Sequence, residues 1–268
     1  FLLASPLIFA TFRLERRPST RRGKAKVSGN LLFDAIFISF AGALLSLDRT
    51  AAFQTMAGRP LVSAPIIGYL AGSVQAGLVV GVTLELLLMG DLPVGTYVPS
   101  HETGLAVLAT AVTVAAINAM GIRPFNPVGY VYTSMAIVPL ALIVSLPVAR
   151  AYRFADTLAR RFNALIFHLA ERSIGAQSGA INLVKFNLYG LVVFFAALWA
   201  AFLLTVFPLM LITRSLFSGA VFPRFLHSAF AGTILLGVAS ALTAVGTSRK
   251  ELVFFAAGAL ASILMTVI

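Results

Sequence analysis

Long apolar runs dominate the chain and polar positions are confined to short intervals between them. The runs fall at roughly Leu31–Leu47, Leu61–Gly90, Leu105–Ile122, Val128–Ala149, Leu188–Ile212, Phe225–Val245 and Leu252–Ile268. Most approach the roughly 20 residues an α-helix needs to cross the hydrocarbon of a bilayer. The pattern predicts an all-α, polytopic membrane protein of about seven to nine membrane segments, some of them re-entrant or broken helices. The run at 61–90 is too long for one simple span and rich in glycine, so it predicts a span plus a re-entrant piece. Gly68/Gly72 and Gly77/Gly81 form small-xxx-small pairs that let helices approach closely; ordinary packing accounts for them equally well.

Between Arg150 and Asn187 the pattern changes. Arg150, Arg153, Arg160, Arg161 and Arg172 alternate with Tyr152, Phe154, Leu158, Phe162, Leu165, Ile166 and Leu169 at helical spacing. This predicts an amphipathic helix on, or projecting from, the cytoplasmic membrane surface. Gly175-Ala176-Gln177-Ser178-Gly179 should end it. The expected organisation is a basic N-terminal extension over 1–29, an N-terminal membrane half over 30–149, a cytoplasmic connector over 150–187 and a C-terminal membrane half over 188–268. The first methionine is Met56, and a native start near Val27 is expected, with 1–29 as a possible over-extension of the reading frame.

Composition agrees with the pattern. Hydrophobic residues make up 59% of the 268, charged residues 11%, and mean hydropathy is +0.96, whereas soluble domains carry about 25% charge. The net charge of +11 does not indicate nucleic acid, because seven of the twenty basic residues lie between Arg13 and Lys26 and five between Arg150 and Arg172. Basic clusters beside apolar spans mark cytoplasmic loops and attract anionic headgroups. With no cysteine, disulfides, thiolate zinc sites and thiol nucleophiles are excluded. His101, His168 and His227 are dispersed, and no phosphate-binding loop, nucleophile elbow or dinucleotide fingerprint occurs. The chain is expected to hold no cofactor or metal and to perform no covalent chemistry itself.

The chemistry that remains lies in Asp48, Gln54, Glu85, Asp91, His101 and Glu102. Carboxylates at membrane depth are costly, so they face a partner, a cavity or a solute. Carboxylates and amides can grip the hydroxyls of a sugar with directed hydrogen bonds. Glu85 is the sharpest of the set, inside Gly81-Val82-Thr83-Leu84-Glu85-Leu86-Leu87-Leu88-Met89. Protonation, or pairing with an arginine for structure, would explain it as well. Capping or pairing with Arg49 explains Asp48, a plain loop explains Gln54, and solvation explains His101.

At these residues the chain resembles the membrane-embedded IIC subunit of the mannose/fructose/sorbose family of the phosphoenolpyruvate-dependent sugar phosphotransferase system (PTS). The likeness runs from Asp48…Gln54…Arg59-Pro60-Leu61 through the Gly68–Gly90 span, with its Leu-Glu-apolar-Gly ending, to Gly95 and the Pro99 tip. It continues in Ala136-Ile137-Val138-Pro139-Leu140 and Asp156–Glu171. The resemblance implies a sugar permease subunit that pairs with a IID membrane subunit, as trimers of IIC–IID pairs, in the bacterial inner membrane. It further implies that sugar is presented to a cytoplasmic IIB subunit, and that the phosphoryl-carrying residues lie on the IIA and IIB subunits. Gln54 and Glu85 are its carry-overs to the sugar site, with Asp48, Asp91 and Glu102 beside them. Where the family's tip reads Pro-Asp, this chain has Pro99-Ser100-His101-Glu102, so Glu102 is expected in place of that carboxylate. Two alternatives stay open: a stand-alone proton-coupled secondary transporter using Glu85 or Asp91, and a non-transporting membrane scaffold or sensor.

Overall fold

The computed structural model describes residues 30–50, 52, 54–89, 101–121, 127–176, 183–218 and 232–238. Most of the described residues are helical, with no strand among them. The elements are α1 (Leu31–Thr50), α2 (Pro60–Ala71), α3 (Val74–Leu88), α4 (Glu102–Ala119), α5 (Pro127–Ala176) and α6 (Leu183–Leu216), followed by a helical stretch at 232–238. Among the described residues four helices are long and apolar enough to cross a membrane, over Leu31–Arg49, Glu102–Ala119, Met135–Arg172 and Val184–Leu216. The expected N-terminal extension, Asp91, the Pro99 tip and most of the last two apolar runs lie outside the described residues.

α1 carries Asp34 in its first turn and Arg49 in its last, each at the end where the helix dipole favours its charge. Its faces divide by size. Leu32, Phe33, Ile36, Phe37, Phe40 and Leu44 are exposed, as expected of a lipid-facing stripe, while Ala35, Ile38, Ser39, Ala43 and Ser46 are buried. Gly42 lies on the inner face; a side chain there would come within 2.8 Å of Val107 and 3.2 Å of Phe202. α1 therefore packs closely on α4 and α6.

The 61–90 run is not a span plus a re-entrant piece. It is a hairpin of two short helices, α2 and α3, of 12 and 15 residues. Their lengths, about 18 and 22 Å, fall short of the roughly 30 Å hydrocarbon thickness. Pro60 opens α2 at the first helical position. Gly72, at φ 102°, ends it in the left-handed conformation, and Ser73 caps α3 by accepting from the Ala76 N–H at 3.1 Å. The arms touch backbone to backbone. A side chain at Gly77 would collide with the Ala64 carbonyl and Pro65, and one at Gly81 would lie 2.8 Å from the Pro60 carbonyl. Close approach thus accounts for Gly77 and Gly81, and turn geometry for Gly72. We expect Gly77→Leu to prise the arms apart and cost about 3 kcal/mol or more. Detergent thermal-stability measurement by fluorescence-detected gel filtration would register this; an unchanged melting temperature would refute the packing argument.

α4 lies innermost, with 83% of its apolar window buried. It is built from small residues, including Thr103, Gly104, Ala106, Ala109, Thr110, Ala111, Thr113, Ala115 and Ala116, so neighbours approach it on every side. α5 joins two of the expected segments. The apolar run at 128–149 and the basic amphipathic segment after Arg150 are one helix of 50 residues, about 75 Å long and thus far longer than a bilayer is thick. It ends at Ala176, within the glycine-containing break. α6 runs antiparallel beside it: the Tyr152 and Thr205 hydroxyls share a hydrogen bond of 2.6 Å, and Asn163 lies against Gly190.

Candidate functional site

The register of the hairpin decides where Glu85 falls. Gly81 packs on Pro60, so one further turn of α3 carries Glu85 to the start of α2. There Glu85 Oε2 accepts from the Leu61 N–H at 3.2 Å. This N–H is one of the amides that the first turn of a helix leaves unpaired. A carboxylate at that end is favoured by the dipole as well. The second oxygen, Oε1, stands 3.5 Å from Arg59 Nη1. The same nitrogen stands 3.6 Å from Glu102 Oε2, in the first turn of α4. One guanidinium therefore bridges two carboxylates at the N-termini of two helices. Side-chain exposure is 43% for Arg59, 24% for Glu85 and 14% for Glu102. Glu85 is paired but not sealed. At these separations and exposures the ion pairs are worth about 1 kcal/mol or less each where water reaches them.

The loop before α2 is held from two sides. Asp48, at the end of α1, accepts from the Thr55 N–H and the Thr55 hydroxyl at 2.7 Å each on Oδ1, and from the Gly58 N–H at 3.2 Å on Oδ2. Its role as a cap lies in the loop that follows the helix, not in the helix itself. From α4, the Thr103 hydroxyl donates to the Gly58 carbonyl at 2.8 Å. Gly58 is buried at this junction, where a side chain would lie 3.0 Å from Thr103 Oγ1 and 3.2 Å from the Leu45 carbonyl. Between the anchors, Gln54 and Met56 take φ values of 52° and 66°, a region that costs a non-glycine residue on the order of 1–3 kcal/mol. The side chain of Gln54 is exposed and makes no hydrogen bond among the described residues.

His101 is not a solvated loop residue. It is 2% exposed and caps α4, its Nδ1 accepting from the Gly104 N–H at 2.9 Å. That bond requires Nδ1 to be unprotonated. The ring packs edge-on to Tyr152 and Phe202, at centroid distances of 5.9 and 5.8 Å. Gly104 leaves room for Tyr152, whose ring any side chain there would meet. Phe202 lies near the middle of α6, so the start of α4, with Glu102, sits near mid-length of the bundle.

Of the sequence-derived residues, the described contacts bring Glu85 and Glu102 together, place Asp48 beneath the neighbouring loop and leave Gln54 on its outer surface. Asp91 lies outside the described residues. Arg59, Thr103 and His101 complete the arrangement. Arg59 entered the sequence reading only within Arg-Pro-Leu; a lone cation ahead of a carboxylate-bearing apolar run was the signal. His101 had a local signal too: a polar residue immediately before Glu and an apolar run marks a helix N-terminus. Among the described residues no cluster of His, Asp or Glu is suited to hold a metal ion.

A short helix and a membrane-length helix, α2 and α4, thus direct their N-termini at one partly exposed acidic centre, a device membrane carriers use for polar solutes. The sorbose-specific EIIC component of a PTS from Klebsiella pneumoniae is 31% identical over 138 residues. That match covers 52% of this chain and 43% of the relative, so the chain matches less than half of the relative's length. A solved chain described as "Structure of membrane protein" superposes with a TM-score of 0.56 at 15% identity, over 88% of this chain and 87% of that one. The second likeness speaks for the fold alone. A family model described as "PTS system sorbose-specific iic component" matches residues 32–268. The chain is a multi-pass membrane protein and belongs to the sorbose-specific IIC family of PTS sugar-transport components.

Proposed function

We propose that this chain is the sugar-translocating IIC subunit of a mannose-type phosphotransferase system in a bacterial inner membrane, and that Glu85 grips the sugar. The observation that carries the reading is the state of Glu85. It is an acid in an apolar helix, fixed by one backbone N–H and one long ion pair, yet open enough for a solute hydroxyl to reach it. A carboxylate kept only for structure gains nothing from that access. Glu102, at the start of α4, is the second acid on Arg59. Asp48 supports the loop that carries Arg59, and Gln54 and Asp91 are the remaining candidates for sugar contact.

In this reading a IID membrane subunit completes the unit, as a trimer of IIC–IID pairs. A cytoplasmic IIB subunit phosphorylates the sugar on release, so the chain needs no phosphoryl-accepting residue of its own. The relative's description makes sorbose the first sugar to try, with mannose and fructose beside it. Uptake of each radiolabelled sugar is measured in cells with and without the gene, with phosphoenolpyruvate supplied or depleted. The expected result is gene-dependent accumulation of at least one sugar that fails without phosphoenolpyruvate. Accumulation that instead collapses with the proton gradient would favour a secondary transporter. No gene-dependent uptake of any of the three would overturn the proposal.

A further inference from the structure

We propose that Arg59 is an internal competitor of the sugar: it occupies Glu85 in the empty site and is handed to Glu102 when a sugar arrives. This rests on the proposed function and concerns the regulation of the same site. Arg59 Nη1 lies almost equally far from both acids, 3.5 Å from Glu85 and 3.6 Å from Glu102. Neither separation is that of a tight charge-assisted bond, which is about 2.7–2.9 Å. The guanidinium is shared, and shifting it from one acid to the other leaves the net charge of the three groups unchanged. Glu85 Oε2 is already committed to the Leu61 N–H. The oxygen a sugar hydroxyl could take most readily is Oε1, the one Arg59 faces. A hydroxyl there displaces the cation toward Glu102.

The displacement has a mechanical consequence. Arg59 is the residue immediately before α2, and its carbonyl accepts from the Val62 N–H at 3.0 Å, the Ser63 N–H at 2.8 Å and the Ser63 hydroxyl at 2.9 Å. The guanidinium is therefore attached to the end of the α2–α3 hairpin. The hairpin has backbone-to-backbone packing at Gly68, Gly77 and Gly81 and behaves as one unit. Glu102 belongs to α4, held at its start by the His101 cap and the Tyr152 and Phe202 rings. Pulling Arg59 onto Glu102 draws the hairpin toward α4. Sugar occupancy is thereby converted into a movement of one element against the rest of the bundle.

The two charge-removing variants have opposite signs. Equilibrium binding of radiolabelled sorbose, mannose and fructose is measured in native membranes containing the whole complex. Arg59→Gln removes the competitor, so Kd should fall about threefold to tenfold while uptake falls. Glu102→Gln leaves Arg59 no second partner, so Kd should rise by a similar factor. In the Arg59→Gln background the Glu102→Gln effect should vanish, because nothing remains to hand over. A Kd that rises in Arg59→Gln means that Arg59 itself binds sugar and overturns the proposal. So does a Glu102→Gln loss that persists without Arg59. Arg59→Lys, which keeps the charge, should stay close to wild type in Kd.

A second arm needs no sugar. The chain has no cysteine, so spin labels can be placed through Tyr69→Cys on α2 and Leu211→Cys on α6, which are 72% and 53% exposed. Arg59→Gln should broaden the distance distribution between them; an unchanged distribution overturns the latch. Wild-type membranes that bind none of the three sugars would instead sink the proposed function, and the label distances would still judge the latch.

Discussion

Glu85→Gln is expected to lower the initial rate of sugar uptake by about a hundredfold or more, with the protein still present in the membrane at wild-type abundance. The substitution keeps the length and shape of the side chain. It removes the charge and turns one acceptor oxygen into a donor. A hydrogen bond to a charged group contributes about 1.5–3 kcal/mol, against about 1 kcal/mol for a neutral pair. A sugar hydroxyl on Oε1 therefore loses about 0.5–2 kcal/mol directly. The mismatch at the former acceptor adds a desolvated, unsatisfied group, for about 1–3 kcal/mol more. Together these reach the factor of a hundred. The same change weakens the cap on the Leu61 N–H, which is why abundance and detergent stability have to be followed beside uptake. Glu171→Gln is the matched control. Glu171 pairs with His168 at 3.1 Å, and their side chains are 55% and 67% exposed, so its loss should leave uptake unaltered. Normal transport by Glu85→Gln would remove the physical ground for placing sugar on this acid. A loss of stability equal to the loss of uptake would assign Glu85 to the hairpin alone.

The sequence made some of this legible and hid the rest for identifiable reasons. α1, α4 and α6 coincide with apolar runs because a bilayer demands continuous helical hydrogen bonding, and hydropathy alone reports it. Glu85 stood out because an acid in such a run is expensive. The division of 61–90 into two short helices turned on Gly72 and Ser73, a C-cap and an N-cap that are adjacent in sequence. Their meaning shows only when Gly77 and Gly81 are seen against Ala64 and Pro60. The continuity of α5 across Arg150 was hidden because a change in side-chain character looks like a boundary, while the backbone needs none. Arg59 escaped as a site residue because its partners are 26 and 43 positions away; no local pattern encodes which acid a cation will meet. His101 was read as solvated for the same reason, since Tyr152 and Phe202, which bury it, come from helices far along the chain.

Asp48→Ala is expected to have the second-largest effect, and at a distance. Three donors converge on this one carboxylate: the Thr55 N–H, the Thr55 hydroxyl and the Gly58 N–H. Asp48 is 7% exposed, so the donors nearest it lose a partner that water replaces poorly. Charge-assisted bonds of this kind are worth about 1.5–3 kcal/mol each. The loop also carries the strain of Gln54 and Met56 at positive φ, about 1–3 kcal/mol each, and without Asp48 the Thr103 bond to the Gly58 carbonyl is left as its anchor from a neighbouring helix. The loop should then relax, and Arg59, one residue beyond Gly58, should lose its position between Glu85 and Glu102. Sugar uptake is expected to fall about tenfold or more, because Arg59 can no longer be passed between the two acids, and amide hydrogen exchange over residues 54–59 to accelerate, while α6 stays protected. Asp48→Asn keeps one acceptor oxygen and should fall between wild type and alanine. Thr55→Val, which removes only the hydroxyl donor, should cost least. In the Asp48→Ala background, Met56→Gly should restore nothing, because the strain it relieves has already been released by the loop. Fast exchange confined to 54–59 with unchanged uptake would separate the loop from the site and show that Arg59 is positioned by α2 alone.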